Sequence, residues 1–187
     1  MKHLTKATLG LAVIAVFGLA AAPHTDDDNG RLHAAGWRTI VFDVACDGRT
    51  YAPNGVNPAT GNEIRGTTFI IDGKIYPGGI IPPGDGFDLD ATQGSIAKWV
   101  CRGTYNISLE QLMAGVTPAL STAWQILFDG SNALMTEGQE GGTVHRVVLG
   151  GTGRYRGVVG EVKEEFLGLN TTGFENYRFT FRIRKAE

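Results

Sequence analysis

Very little in this chain is suited to metal or nucleotide chemistry. Four histidines and two cysteines stand among 187 residues, and His145 is the only histidine outside the first 36 positions. No second His or Cys spacing supports a metal site, so no metal is expected. The 17 basic residues are balanced by 19 acidic ones, for a net charge of −2. That balance leaves no basic footprint for nucleic acid. A Gly-Lys-Ser/Thr triplet is lacking, which excludes a phosphate-binding P-loop. Gly94-Ser95-Ile96 lacks the nucleophile-elbow pattern, and no Ser-His-Asp order has local support. There is no long amphipathic helical pattern, and Pro82-Pro83 excludes helix from the second of two long loops. Apart from residues 9–22, the chain has no long apolar run.

Glycine is what the chain has in excess: 27 residues, spread along its length. Such spacing fits short strands joined by many turns. The densest run is Gly150–Gly160, GGTGRYRGVVG. Its glycines miss the G-x-G-x-x-G dinucleotide spacing by one place. The residues that follow, Val158, Val159, Val162 and Phe166, are strand formers. The run therefore predicts a tight β corner, with Gly153 and Gly157 supplying unusual backbone.

The N-terminus carries Lys2 and Lys6 before Leu9–Ala22, an apolar stretch ending in small residues. This predicts a signal peptide over residues 1–22 and a secreted or periplasmic protein. Residues 23–36 predict a solvated leader. In an exported chain the even cysteine count predicts a Cys46–Cys101 disulfide. It would close a loop of about 55 residues, worth on the order of 4 kcal/mol.

Residues 37–187 predict one β domain. Trp37–Cys46 alternates, with Arg38, Ile40, Phe42, Val44 and Cys46 on one face. Trp37, Thr39, Val41, Asp43 and Ala45 share the other. Residues 47–62 and 77–94 read as long loops. Further strands are expected in 66–76, 96–109, 123–128, 132–137, 143–149, 158–167 and 174–184. In the last, Tyr177, Phe179, Phe181 and Ile183 oppose Arg178, Thr180, Arg182 and Arg184, a period of two. Eight short antiparallel strands predict a closed barrel, which also removes sheet edges. A two-sheet sandwich is the structural alternative.

The segment HRVVLGGTGRYRGVVGEVKEEFLGLN, followed by FENYRFTFRIRK, resembles the closing strands of the allene oxide cyclase and dirigent barrel superfamily. The resemblance lies in an apolar strand running into Gly150, Gly151, Thr152 and Gly153, then Tyr155 and Gly157. WRTIVFD resembles the first barrel strand, which also bears an acid. The resemblance implies an all-β, eight-stranded antiparallel closed barrel with an apolar cavity. It implies no cofactor and a small hydrophobic or phenolic ligand, with homodimer or homotrimer assembly. Members include cofactor-independent cyclases and isomerases, and non-catalytic dirigent proteins that steer coupling chemistry. Both functions are carried forward, since fold does not fix reaction.

Candidate residues follow. Asp43 matches the first-strand acid and would act as acid or base if its face lines the lumen; Phe42 and Val44 lie on the opposite face. The cyclases carry an Asn two places later, where this chain has Ala45. Tyr105 shares a face with Trp99, Cys101 and Ile107 and is a second catalytic candidate. His145, alternating with Val147 and Leu149, is a third, with a side chain that titrates near neutrality. Phe42, Trp99, Trp124 and Phe179 are candidates for contacting the ligand. Glu164 and Glu165 occupy opposite faces, so one points inward if their strand is regular. Charge pairing with Arg178, Arg182 or Arg184 on the outside is the simpler role for them.

Overall fold

A computed structural model describes residues 36–108, 110, 111, 114 and 121–186. The expected signal peptide, and the leader up to residue 35, lie outside the described residues. The strands are β1 (Arg38–Cys46), β2 (Ala52–Asn54), β3 (Thr68–Pro77), β4 (Ala97–Tyr105), β5 (Ser121–Asp129), β6 (Asn132–Glu140), β7 (Val144–Gly151), β8 (Val158–Leu169) and β9 (Glu175–Lys185). Their order in the sheet is β1-β9-β8-β7-β6-β5-β4-β3-β2, and β3 pairs back onto β1. Every strand pairing is antiparallel. The eight long strands thus form the expected closed barrel. The short β2 is an addition, lying in what reads as a loop in the sequence.

Alternation along each strand sends one side chain in and the next out. Ile40, Phe42, Val44 and Cys46 of β1 point inward, as do Ile71 and Ile75 of β3 and Trp99 and Cys101 of β4. Leu127, Leu134, Val148, Val162, Phe179, Phe181 and Ile183 complete this main core. β3 runs unbroken through Gly73. A Cβ at Gly73 would lie 2.8 Å from the Ala45 carbonyl oxygen and 3.0 Å from Trp99 Cε3. The glycine therefore lets β1 and the indole approach the strand rather than ending it.

The glycine corner joins β7 to β8 as expected. Gly153 and Gly157 have φ of +55° and +70°. Between them a 3-10 turn, Gly153–Tyr155, tucks the buried Tyr155 ring into the main core at the base of the barrel.

The loop 77–94 is a strap over the outer wall. Ile81 and Leu89 pack with Tyr76, Ala45 and Leu167 in a second, smaller core. Asp43 fastens this strap. Its carboxylate accepts hydrogen bonds from the Gly79 and Ile81 amides at 2.8 and 2.9 Å. Arg178 Nε donates to Asp43 Oδ1 at 2.8 Å and Arg178 Nη2 to the Ile81 carbonyl at 3.1 Å. Asp43 is fully buried, but outside the lumen. An inward acid at this position is corrected: the apolar Phe42–Val44 face took the interior, and the strap covers the other.

The expected disulfide is also corrected. Cys46 and Cys101 are free and buried. They flank β3 at different levels, Cys46 opposite Gly73 and Cys101 opposite Ile71.

Candidate functional site: a polar wall inside the barrel

One side of the lumen is apolar. Phe42 meets Phe181 edge-on at 6.0 Å, and Phe179 stacks on Phe181 at 6.3 Å between ring centroids. Strands β5 to β8 carry buried polar groups: Gln125, Thr136, Arg146 and Glu164. Each keeps inward parity with an apolar neighbour, Gln125 with Leu127, Thr136 with Leu134, Arg146 with Val148 and Glu164 with Val162.

Glu164 is the centre of this group and has no exposed surface. Its Oε2 accepts from Gln125 Nε2 at 2.9 Å and lies 3.7 Å from Arg146 Nε. Its Oε1 has no hydrogen-bond partner among the described residues. Burial pushes the carboxyl up to about 7, against the opposing pull of Arg146. The guanidinium is itself anchored, donating to the Gln139 carbonyl at 2.7 Å and to the Ala123 carbonyl. Gly138 makes the room, since a Cβ there would sit 3.1 Å from Arg146 Cγ. Gln125 Nε2 also reaches Glu140 Oε1 at 3.4 Å, and the Cys101 thiol donates to the same oxygen at 2.9 Å. Burial and Glu140 both push the Cys101 thiol up, so it is a poor nucleophile.

A second group stands where β4 ends. The Tyr51 hydroxyl donates to Glu63 Oε1 at 3.0 Å and lies 3.1 Å from the Tyr105 hydroxyl. Burial raises both phenols, Tyr105 to about 12. Phe69 meets Tyr105 at 5.3 Å, and Phe174 meets Tyr51 at 5.1 Å.

The structure therefore brings Phe42, Trp99, Tyr105 and Phe179 to the inner face. It does not do so for three other candidates. Trp124 is 41% exposed on the outer wall, under the Arg102 guanidinium at 5.0 Å. His145 is exposed on the outer face of β7. Asp43 holds the strap. The residues that sequence reasoning passed over are Gln125, Arg146 and Glu140; of Glu164 and Glu165 it placed one inward without saying which, and favoured outer charge pairing over catalysis for both. The available signal was parity: a charged residue at the inward phase of an otherwise apolar strand.

No family model matches the chain, and no curated protein matches it in sequence. Solved structures do. A pyocyanin demethylase superposes with a TM-score of 0.50 at 14% identity, over 77% of this chain and 99% of its own. A pterocarpan synthase dirigent protein gives 0.54 at 14% identity, over 81% and 91%. A Diels-Alderase from Streptomyces koyangensis gives 0.51 at 16% identity, over 85% and 74%. The fold is that of the dirigent and Diels-Alderase barrels. At such identities the likeness speaks for architecture, and chemistry must be argued from the lumen.

Proposed function

We propose that the barrel binds a small, largely hydrophobic molecule in its lumen and catalyses its cyclisation or isomerisation without a cofactor, outside the cytoplasm. The observation that carries this reading is Glu164: a buried carboxyl, one oxygen of which has no hydrogen-bond partner among the described residues, pushed up to about 7 by burial. A carboxyl tuned to neutrality can both give and take a proton there. Glu164 Oε1 would deliver a proton to the bound molecule and recover one as the rearranged product forms. Donor and acceptor thus return to their starting state with no redox partner. Arg146 and Gln125 hold Oε2, which fixes the carboxyl plane and aims Oε1. The adjoining aromatic wall, in which Phe179 is the register partner of Glu164, would hold the substrate against it, and orientation supplies much of the rate gain in such reactions.

The non-catalytic, dirigent-like alternative draws on the same aromatic wall, where Phe42, Phe179 and Phe181 could hold a phenolic ligand for chemistry done elsewhere. One experiment separates the two. The purified protein is analysed by native mass spectrometry for a retained small molecule, and conversion of that molecule is followed with wild type and Glu164→Gln. Catalysis predicts loss of conversion with binding kept. Equal conversion by both proteins would overturn the role of Glu164, and binding without conversion by either would favour the steering role.

A further inference from the structure

A pocket of about 230 Å³ opens at the base of the barrel, at the end carrying the glycine corner. Its floor is lumenal: Phe42, Ile75, Leu127 and the Tyr155 ring. Ile96 and Phe128 collar its mouth and are 49% and 38% exposed, an apolar rim left open to water. On one side of the rim stand Arg154 and Asp129.

Arg154 is held in place there. Its guanidinium lies 4.9 Å from the Tyr155 ring centroid, Nη2 donates to the Tyr155 hydroxyl at 2.8 Å, and it pairs with Asp129. Its backbone amide is fixed by Asn132 Oδ1 at 2.9 Å. Even so, 58% of the Arg154 side chain remains exposed. Lys185 Nζ donates to the Arg154 and Arg156 carbonyls, and Lys98 is the register partner of the collar residue Phe128. Arg154 is the cation and Asp129 the acid of the pocket lining, and Lys185 Nζ, bonded to the Arg154 carbonyl, adds a second cation beside them.

We infer that this basal pocket is a binding site for a small amphipathic carboxylate. The apolar body enters between Ile96 and Phe128 and rests on Leu127 and Tyr155, while the carboxylate meets Arg154 at the rim. Three features select that class. The floor and collar are apolar, which calls for a hydrophobic body. The surplus of cations favours an anionic head over an ammonium, and a planar guanidinium suits a carboxylate. The volume lies below the range of about 300–1,000 Å³ typical of drug-sized ligands, so the occupant is fragment-sized. The site shares Phe42 with the lumenal aromatic wall but does not include Glu164. Phe42 is in register with Phe179, and Phe179 with Glu164, so the floor is two strands from the acid, about 10 Å away.

The test uses full-length protein and three probes of one shape: 2-naphthoate, 2-naphthalenemethanol and 2-naphthylmethylammonium. Calorimetry should show naphthoate binding roughly five- to tenfold more tightly than the neutral alcohol, with the ammonium weakest. Arg154→Met should abolish the preference for naphthoate while leaving alcohol binding in place. Asp129→Asn should tighten naphthoate binding by freeing the guanidinium. Ile96→Asp, at an exposed position, should weaken all three. Equal affinity for naphthoate and alcohol would overturn the inference, as would no binding by either. So would a charge preference that survives in Arg154→Met while its melting temperature matches wild type. Glu164→Gln should leave all three affinities unchanged, so this site and the acid stand or fall separately.

Discussion

Arg146 Nε lies 3.7 Å from Glu164 Oε2, and neither side chain has exposed surface. The pair spans β7 and β8, where Arg146 is in register with Val162 and Glu164 with Val144. Arg146 also donates to two main-chain carbonyls, while among the described residues Glu164 Oε1 and Arg146 Nε have no hydrogen-bond partner.

Stability should therefore depend on pH through Glu164. Its carboxyl moves from 4.5 to about 7 on folding, so the native state holds the proton more tightly. The contribution of Glu164 to stability is then greatest below about 4.5, falls as pH rises through about 7, and levels off above. Glu164→Gln should flatten much of that decline in urea titrations run from pH 4 to pH 8. Glu175, also raised by burial, leaves a residual slope in the same direction. If the proposed catalysis holds, the inflection near 7 in the pH–rate profile should vanish along with most activity.

Arg146→Met should be costly in a pH-dependent way. Removing one member of a buried pair costs about 3–5 kcal/mol when the other stays charged. At pH 8 Glu164 is ionised and the full cost applies; at pH 5 it is neutral and the cost shrinks. Melting curves at the two pH values should diverge more for the variant than for wild type. The double variant with Glu164→Gln should recover part of the loss at pH 8.

Asp43→Ala should unfasten the strap and leave the lumen intact. It removes a fully buried acceptor of two amide bonds and the partner of Arg178, whose side chain is 27% exposed. A loss of about 3 kcal/mol is expected. Limited proteolysis should gain cleavage sites within residues 77–94. Binding of a lumenal ligand should hold at wild-type strength.

At the glycine corner, Gly153→Ala should cost more than Gly157→Ala. Both carry positive φ, which penalises alanine by about 1–2 kcal/mol. Gly153 alone is also crowded, since a Cβ there would collide with Asn132 Oδ1, while Gly157 has open space. Thermal melts of the two variants check the ranking.

Thiol titration should find both cysteines unreactive in the native protein and two free thiols after denaturation, because both are buried and unpaired. Electrophoretic mobility should be the same with and without reductant.

The barrel was legible because most strands keep a strict period of two and the glycines mark the turns between them. The inner face was legible where it is apolar: β9 reads plainly, since Phe179, Phe181 and Ile183 oppose arginines. It was misleading on β5 and β7. There the outward residues Trp124, Phe128, Val147 and Leu149 are more hydrophobic than the inward Gln125 and Arg146, and they remain substantially exposed. Hydrophobic alternation assigns the greasier face to the interior, so His145 and Trp124 drew attention and Arg146 did not. A polar lumen inverts that rule. Asp43 misled for a different reason. Residues Asp43–Cys46 are buried on both faces, because a distant loop folds over the wall, and nothing local in β1 records that contact.

The strap makes the barrel mechanically lopsided. β1 and the end of β3 are sandwiched between the main core and the small core of Ile81 and Leu89, while β5 to β7 turn their outer side chains to water. Amides of β1 and of the covered end of β3 should accordingly be the last to exchange with deuterated solvent. Transient parting of strands should concentrate on the uncovered side, which is the side carrying Gln125, Thr136 and Arg146. Breathing there would bring water and solutes to the polar wall through the flank of the barrel, without unthreading either end.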